Sequence, residues 1–330
     1  MTDLKGRTVL VTGADGFIGS HLTERLVAEG AKVRAFCLYN SQGSWGWLDQ
    51  ATPEVRASLD VRLGDIRDAR FVTTACEGVD VVFHLAALIA IPYSYVAPES
   101  FVDTNVRGTM NVLEAARITK VGRVVHTSTS EVYGTPATLP IRETHPLNAQ
   151  SPYAATKVAA DQLALSYQRS FGTPVVVLRP FNTFGPRQST RAVLPTILTQ
   201  LLAGREEIEL GRLDTKRDLT FVADTVDGFV KAATADAVGE TIQLGTGRAV
   251  SIQEIFDSCC KALGKRARIR TDERRLRPDA SEVLVLESDP ALALQKLGWR
   301  PQVTLEDGLA RTAQWLEQNI RQYNPAFLHV

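Results

Sequence analysis

Tyr153 and Lys157 stand four residues apart in Ser151-Pro152-Tyr153-Ala154-Ala155-Thr156-Lys157, the opening of a predicted long helix. At that spacing both side chains share one helix face, with Cβ atoms about 6 Å apart. An ammonium beside a phenol favours phenolate. The expectation is therefore a tyrosine whose pKa falls below the usual value of about 10 and which exchanges protons near neutral pH. Upstream, the apolar run Arg123-Val124-Val125-His126 breaks into Thr127-Ser128-Thr129-Ser130-Glu131. Hydroxyls and one carboxylate at a strand end can face the tyrosine across a site. Thr129, Ser130, Glu131, Tyr153 and Lys157 are the candidate catalytic residues. A tyrosine and lysine at this spacing occur on many helices without function, so the pair takes its meaning from the chain around it.

The elements that must position the pair begin at the N-terminus. Thr8-Val9-Leu10-Val11 is a short unbroken apolar run, the pattern of a strand buried on both faces. Gly13, Gly16 and Gly19 follow in Thr12-Gly13-Ala14-Asp15-Gly16-Phe17-Ile18-Gly19, and Ser20 to Gly30 reads as an amphipathic helix ended by Gly30. Glycines between strand and helix let backbone N–H groups approach a pyrophosphate, whose charge the helix N-terminus favours. The spacing is G-x-x-G-x-x-G rather than the general G-x-G-x-x-G. The three glycines, with Asp15, Phe17 and Ile18 between them, are the expected dinucleotide contacts at this turn.

Lys32 to Tyr39 predicts a second strand, whose end is where a carboxylate would hold the adenosine ribose. Cys37 stands there with neither an acid nor an arginine adjacent. NAD is the expected cofactor, NADP stays open, and Asn40 and Ser41 can bond either ribose. Val61 to Ile66 predicts a third strand ending at Asp65, which can accept from an adenine amino group or cap the next helix. Val79 to Leu85 predicts a fourth, running into Ala86-Ala87, small residues that let the chain pass close to a dinucleotide. A helix over Pro98–Thr119 and a fifth strand over Arg123–His126 follow. Strands alternating with helices imply an α/β protein with a Rossmann-type, doubly wound parallel sheet, its ligands at the strands' carboxyl ends. Ile66, Leu85, Ala86, Ala87, Thr127 and, after the sixth strand, Pro180 complete the expected cofactor wall, with Tyr153 and Lys157 at its nicotinamide end. His84 and His126 lie in apolar strands and read as core histidines.

Pro174 to Leu178 predicts the sixth strand. Beyond it the alternation becomes irregular. This divides the chain into a dinucleotide-binding domain over 1–178 and a mainly substrate-binding domain over 179–330, with strands near 220 and 243 returning to the large sheet. Short strands are expected over 205–210, 218–222 and 241–244. Helices are expected over 191–202, with Arg191 in its first turn, and over 224–234, 251–263, 289–297 and 304–319. Arg187, Arg191, Arg217 and Arg277 recur at loop positions in this region. Several guanidinium forks over one site match the oxygens of a diphosphate. Asn182, Arg191, Arg217 and Arg277 are the candidate substrate-binding residues.

The bulk properties exclude several classes. The chain has 330 residues, 44% apolar and 22% charged, an ordinary globular composition. Lys plus Arg and Asp plus Glu are equal at 37 each, so no basic excess points to nucleic acid or an anionic membrane surface. Cys37, Cys76, Cys259 and Cys260 form no C-x-x-C pair, which argues against a disulfide framework or a zinc site and fits a reducing cytoplasm. The chain enters a strand at once with no signal peptide, and its apolar runs are too short to span a membrane.

These residues resemble a known family. Thr12–Gly19, Tyr153-x-x-x-Lys157 and the length together resemble the extended short-chain dehydrogenase/reductases. Within that group Ser128-Thr129-Ser130-Glu131-Val132-Tyr133-Gly134 looks like the nucleotide-sugar 4,6-dehydratases. Four further stretches look like the legionaminic-acid type of N-acetylhexosamine 4,6-dehydratase, which acts on GDP- or UDP-linked GlcNAc. They are Tyr39-Asn40-Ser41-x-x-Ser44-Trp45-Gly46-Trp47-Leu48-Asp49, Arg179-Pro180-Phe181-Asn182-Thr183, Arg187-Gln188-Ser189 and Arg277-Pro278-x-x-Ser281-Glu282-Val283. One departure stands out: dTDP-glucose dehydratases follow their serine-threonine pair with Asp-Glu, whereas this chain has Ser130-Glu131, as GDP-mannose dehydratases and UDP-glucuronate decarboxylases do.

The resemblance implies a cytoplasmic, NAD-using enzyme on a nucleotide-diphosphate sugar. Tyr153 takes the 4-hydroxyl proton, Lys157 lowers the Tyr153 pKa and holds the nicotinamide ribose, Thr129 bonds the new keto oxygen, and Glu131 removes the C5 proton. It further implies a homodimer formed through the helices around Asn105–Thr119 and Tyr153–Ser170, for which Val158, Leu163, Leu165 and Tyr167 supply apolar spacing. A 4-epimerase, a UDP-glucuronate decarboxylase, a 5,6-dehydratase and a non-catalytic dinucleotide sensor remain open on the same scaffold.

Overall fold

A computed structural model describes residues 3–324. Seven parallel strands form the main sheet: β1 (Thr8–Thr12), β2 (Lys32–Leu38), β3 (Asp60–Gly64), β4 (Val81–His84), β5 (Arg123–Thr127), β6 (Val175–Pro180) and, from much later in the chain, Thr241–Leu244. Their order across the sheet is β3-β2-β1-β4-β5-β6, closed by Thr241–Leu244 beyond β6. The chain reverses its direction of travel between β1 and β4, so a crevice opens there at the carboxyl ends. Register brings those ends level, with Thr12 opposite His84, His84 opposite His126 and Thr127 opposite Leu178. Val9, Val11, Phe83, Val125 and Val176 are fully buried on one face, and Leu10, Val82, Val124 and Val177 on the other. This matches the unbroken apolar runs of a doubly covered sheet.

The helix that carries Tyr153 and Lys157, Pro152–Phe171, has its limits written in the sequence. Ser151 caps it by accepting from Ala154 N at 3.1 Å, Pro152 occupies the first turn, and Gly172 ends it at φ +68°.

Three expectations need correction. First, only Thr241–Leu244 returns to the large sheet; the strand near residue 220 does not. The chain after β6 runs β7 (Asn182–Phe184), β8 (Glu207–Leu210), β9 (Lys216–Phe221), β10 (Thr241–Leu244), β11 (Ala249–Ser251), β12 (Arg268–Thr271) and β13 (Val285–Leu286). β9 pairs with β7, β11 and β13 in a separate small sheet. Its sequence, Lys216-Arg217-Asp218-Leu219-Thr220-Phe221, carries polar residues toward both sides and lacks the apolar run of a central parallel strand.

Second, the helix expected over 98–119 is interrupted. Val102–Arg107 is π-helical between Pro98–Phe101 and Gly108–Ile118. Asn105, in the wide turn, is buried and exchanges two hydrogen bonds with the backbone of Leu88, accepting at 2.8 Å and donating at 2.9 Å. It also donates at 3.1 Å to Oγ1 of Thr156, which lies on the helix Pro152–Phe171. Third, the helix expected from Arg191 begins at Val193, so Arg191 sits in the exposed turn before it.

Asp218, fully buried in β9, locks the small sheet. Its Oδ1 accepts from Thr246 N and Oγ1 at 2.8 and 2.6 Å, and its Oδ2 from Gly247 N, Ser288 N and Ser288 Oγ at 3.0, 3.2 and 2.6 Å. Asp218→Ala leaves those donors without an acceptor and is expected to destabilise the chain by roughly 3 kcal/mol, read by denaturant unfolding. A loss within about 0.5 kcal/mol would show that other acceptors replace it.

Candidate active site

The turn after β1 has no room for side chains. A Cβ on Gly13, where φ is +71°, would lie 2.9 Å from the Ala86 backbone, and one on Gly19 would lie 2.0 Å from Gly13 O. The first turn of the helix Phe17–Ala28 therefore opens against Ala86 at the end of β4. Gly16 is its N-cap, with no side chain capping it, so the first-turn N–H groups of Phe17 and Ile18 are presented to an anion. Leu85 N and Ala86 N both donate to Thr12 Oγ1 at 3.2 Å, which draws the β4 end onto the glycine turn. Thr127 Oγ1, at the end of β5, is buried without a hydrogen-bond partner. A side-chain-free turn, an uncapped helix start and an orphaned hydroxyl fit a dinucleotide laid across the crevice.

Two expected contacts are already engaged. Asn40 donates to Leu38 O and Ser44 O at 3.3 and 2.8 Å and accepts from Gln42 N and Ser44 N at 3.2 and 3.0 Å, so its amide shapes its own loop. Asp65 accepts from Arg67 Nη2 at 2.5 Å and from Arg67 N at 2.9 Å, and those bonds hold its carboxyl below the usual range. The cap of the next helix is Asp68, not Asp65. Ile66 is buried against Gly108. Asp15 accepts from Leu38 N at 3.3 Å, and burial raises its pKa. The loop Ser44–Asp49 was not foreseen at this place. Trp47 N donates to Asp15 O at 3.1 Å, which lays the loop across the glycine turn.

Tyr153 and Lys157 are both buried, one turn apart on the helix Pro152–Phe171, with Lys157 at the end of β5. Tyr153 packs edge-on to Phe101 at 6.3 Å, and Thr129 lies beside its hydroxyl. Lys157 Nζ donates to Thr127 O at 2.5 Å. The expectation of a phenol made acidic by Lys157 is corrected. Burial pushes the Tyr153 pKa well above its ordinary value, and the charges of Glu131 and Asp161 push the same way. Burial also brings Lys157 down to about 8, with Asp161 opposing. Both groups are removed from water, and each then favours its neutral form.

Thr129 caps the 3₁₀ turn Ser130–Tyr133 by accepting from Glu131 N at 3.3 Å. Ser130 is buried, whereas Glu131 is half-buried and lines a cavity of about 240 Å³. Asn182, Arg191, Arg217 and Arg277 line the same cavity. Arg187 does not. Its backbone takes φ +70° and its Nη2 donates to Glu24 at 2.8 Å on the helix Phe17–Ala28. Pro180 ends β6 opposite Leu244.

Glu282 and Asp161 escaped sequence reasoning as functional residues. Glu282 Oε1 lies 3.3 Å from Arg217 Nη2 and 3.5 Å from Arg277 Nη1, so one carboxylate gathers two guanidinium groups at the cavity wall. Its signal was the spacing Arg277-x-x-x-x-Glu282 within a quoted stretch. Asp161 continues the face of Tyr153 and Lys157 by one more helical turn, a signal present at i, i+4 and i+8. His84 is a satisfied core residue, bonded to Thr12 Oγ1 and Thr109 Oγ1 at 2.8 and 3.0 Å. His126 Nε2 approaches Asp161 Oδ1 at 3.3 Å without hydrogen-bond alignment.

In the cofactor-free protein, Lys157 is expected to titrate near pH 8, losing its charge as the pH rises through that value, while Tyr153 stays a phenol past pH 10. NMR of labelled lysine and phenolate absorbance read the two groups separately. An ordinary lysine midpoint near 10.4 would show that water reaches the pair.

The comparisons with known proteins agree with this geometry. The profile of the family described as GDP-mannose 4,6 dehydratase matches residues 10–312. A UDP-glucose 4-epimerase of Mycolicibacterium smegmatis is 35% identical, over 93% of this chain and 97% of its own. A dTDP-glucose 4,6-dehydratase of an Actinoplanes species is 35% identical, over 94% of this chain and 98% of its own. The crystal structure of a dTDP-glucose 4,6-dehydratase from Streptomyces venezuelae with NAD bound superposes with a TM-score of 0.86 at 32% identity, covering 96% of this chain and 99% of that one.

Proposed function

The chain belongs to the GDP-mannose 4,6-dehydratase family, and within it we propose an NAD-dependent nucleotide-sugar 4,6-dehydratase that makes a 4-keto-6-deoxy sugar. The observation that carries the reading is the place of Glu131. Its carboxylate lines the cavity of the gathered arginines, and its charge acts on Tyr153 on one side and on Arg217 on the other. A diphosphate held by Arg217, Arg277 and Arg191, with Asn182 beside them, leaves the sugar between Tyr153 and Glu131.

NAD, which the glycine turn and Lys157 would hold, would supply a hydride acceptor for C4 and the same hydride for C6, so that none is consumed. Tyr153 must first give its own proton to solvent, which a cationic nicotinamide beside it would favour; as phenolate it accepts the proton of the 4-hydroxyl as the C4–H bond breaks, and Thr129 donates to the keto oxygen that forms. The ketone acidifies the C5 proton, which Glu131 removes. The 6-hydroxyl departs as water, protonated by Glu131 itself or through Ser130 and a water. As C6 gains the hydride, C5 takes a proton from solvent, and Tyr153 gives back to solvent the proton it took from the 4-hydroxyl. Lys157, anchored on Thr127 O, holds the nicotinamide ribose and the proton inventory of the pair.

A GDP- or UDP-linked GlcNAc is the proposed substrate, supported by the resemblance of Arg277–Val283, which lies at the cavity. The similar stretch Tyr39–Asp49 lies at the glycine turn and bears on the cofactor instead. A homodimer through the helices Gly108–Ile118 and Pro152–Phe171 belongs to the same proposal. Leu163, Leu165, Tyr167 and Val158 pack partly against the chain's own cores, whereas Met110, Ile118 and Phe171 are exposed. Among the described residues no helix is long and apolar enough to cross a membrane.

A 4-epimerase is the second reading. Ser130 favours it, being no carboxylic acid beside Glu131. A panel of nucleotide sugars decides: dehydration gives a product lighter by one water with an alkali-developed 4-keto absorbance, whereas epimerisation leaves the mass unchanged. Glu131→Gln is expected to retain cofactor binding and C4 oxidation but lose water elimination by on the order of 10³-fold. Wild-type elimination would remove Glu131 from its role. Tyr153→Phe is expected to block oxidation itself by a similar factor, read as absent cofactor reduction in a single turnover.

A further inference from the structure

We propose that Asp161 is a positioning residue for this reaction, bracing both ends of the segment that carries Thr129 and Glu131 and supplying the charge against which Lys157 keeps its proton. The inference rests on the preceding reading only in that Thr129, Glu131 and Tyr153 act on one sugar.

Asp161 is fully buried, one turn beyond Lys157 on the helix Pro152–Phe171. Its Oδ2 accepts from Ser128 Oγ at 2.6 Å and from Arg179 Nη2 and Nε at 2.9 and 3.2 Å. Ser128 directly precedes Thr129. Arg179 donates from Nη1 to the Tyr133 hydroxyl at 2.9 Å, and its guanidinium carbon lies 5.1 Å from the centre of that ring. Tyr133 closes the 3₁₀ turn that Thr129 caps. One ion pair therefore grips residue 128 at one end and residue 133 at the other. The span between them holds its two reacting side chains at 129 and 131.

A buried ion pair is a weak source of stability, because desolvation offsets most of its attraction. A well-packed apolar cluster would hold the helix to β5 and β6 at least as firmly. What an ion pair with three further contacts supplies is direction, since each bond fixes an angle as well as a distance. The span needs direction, because Thr129 must aim at Tyr153 while Glu131 reaches into the cavity.

The second role follows from what surrounds Lys157. The titratable groups facing it are Tyr153 and Asp161 on its own helix, His84 on β4 and His126 on β5. Burial keeps both histidines below their ordinary pKa and Tyr153 above its own, so all three are neutral at pH 7. Asp161, despite its burial, is held below the ordinary carboxylate value by His126, Arg179 and Ser128. It is the anion that opposes the drop in the Lys157 pKa.

Two variants separate the roles. Asp161→Asn keeps the shape and removes the charge, while Ser128→Ala keeps the ion pair and removes one brace. In the cofactor-free protein, the Lys157 midpoint followed by NMR should move to lower pH in Asp161→Asn and stay in place in Ser128→Ala. On a nucleotide sugar that the wild type turns over, Ser128→Ala should lower kcat on the order of 10- to 100-fold with KM and melting temperature nearly unchanged. Asp161→Asn should also shift the alkaline limb of kcat to lower pH. Cofactor reduction, common to dehydratase and epimerase, is measured beside water loss. Absent elimination in the wild type then counts against the proposed function and leaves the brace testable. An unmoved Lys157 midpoint in Asp161→Asn overturns the counter-charge. Full kcat in Ser128→Ala overturns the brace, and that variant retains the ion pair whether or not Asp161→Asn folds.

Discussion

Removal of water from two ionisable side chains is the constraint on which the site depends. Tyr153 and Lys157 face β5 across a seam that also holds Phe101, Thr129 and Asp161. In water the phenol and the ammonium would titrate within a unit of each other. Out of water each pays to carry charge, so the lysine comes down to about 8 and the tyrosine goes up. Burial leads both shifts, and the Asp161 charge acts on each group, favouring the proton in both cases. A cation placed over the phenol favours its ionisation, and an anion would oppose it.

Geometry supplies what burial alone does not. The parallel sheet levels Thr12, His84 and His126 at one edge, and the glycine turn lets the end of β4 close onto β1. The cavity wall comes from a different sheet. β7 and β9 run side by side, placing Asn182 opposite Leu219, and Arg217 and Asp218 alternate in β9. Arg217 lines the cavity, while Asp218 binds the loops after β10 and β13. One short strand therefore both closes the small sheet and presents a guanidinium, which ties the shape of the cavity to the packing of residues far along the chain.

Legibility in the sequence follows from how local each cause is. The glycine turn, the capped catalytic helix and the buried strands are specified by neighbours in sequence, and they were read close to their true limits. The π-helical turn at Val102–Arg107 was not, because Asn105 answers to Leu88 and Thr156 and not to its own helix. β9 was misplaced because edge pairing in the small sheet depends on β7, β11 and β13, all distant in sequence. The ionisation of Tyr153 was misread for the same reason. Spacing along a helix reports which groups meet, but not how much water remains between them. Asp161 was visible as a third residue on one face, yet its meaning lay in Ser128 and Arg179, which no local pattern connects to it.

Overall similarity does not separate the two chemistries of this scaffold, since an epimerase and a dehydratase match the chain at the same 35% identity. Both chemistries share oxidation at C4, so the proposed roles of the glycine turn, Tyr153 and Lys157 serve either. They part at C5. An epimerase leaves that carbon untouched and has no task for a base above it. An elimination must take a proton from C5 and expel a hydroxyl from C6, which calls for one group able to give as well as take. A carboxylate half-open to the cavity, spaced from the phenol by a capped turn and facing a guanidinium wall, is suited to that exchange. If Glu131 served only structure, it would belong in an ion pair within the turn. Its charge instead acts across the cavity on Arg217 and on Tyr153, the two groups a bound sugar would separate.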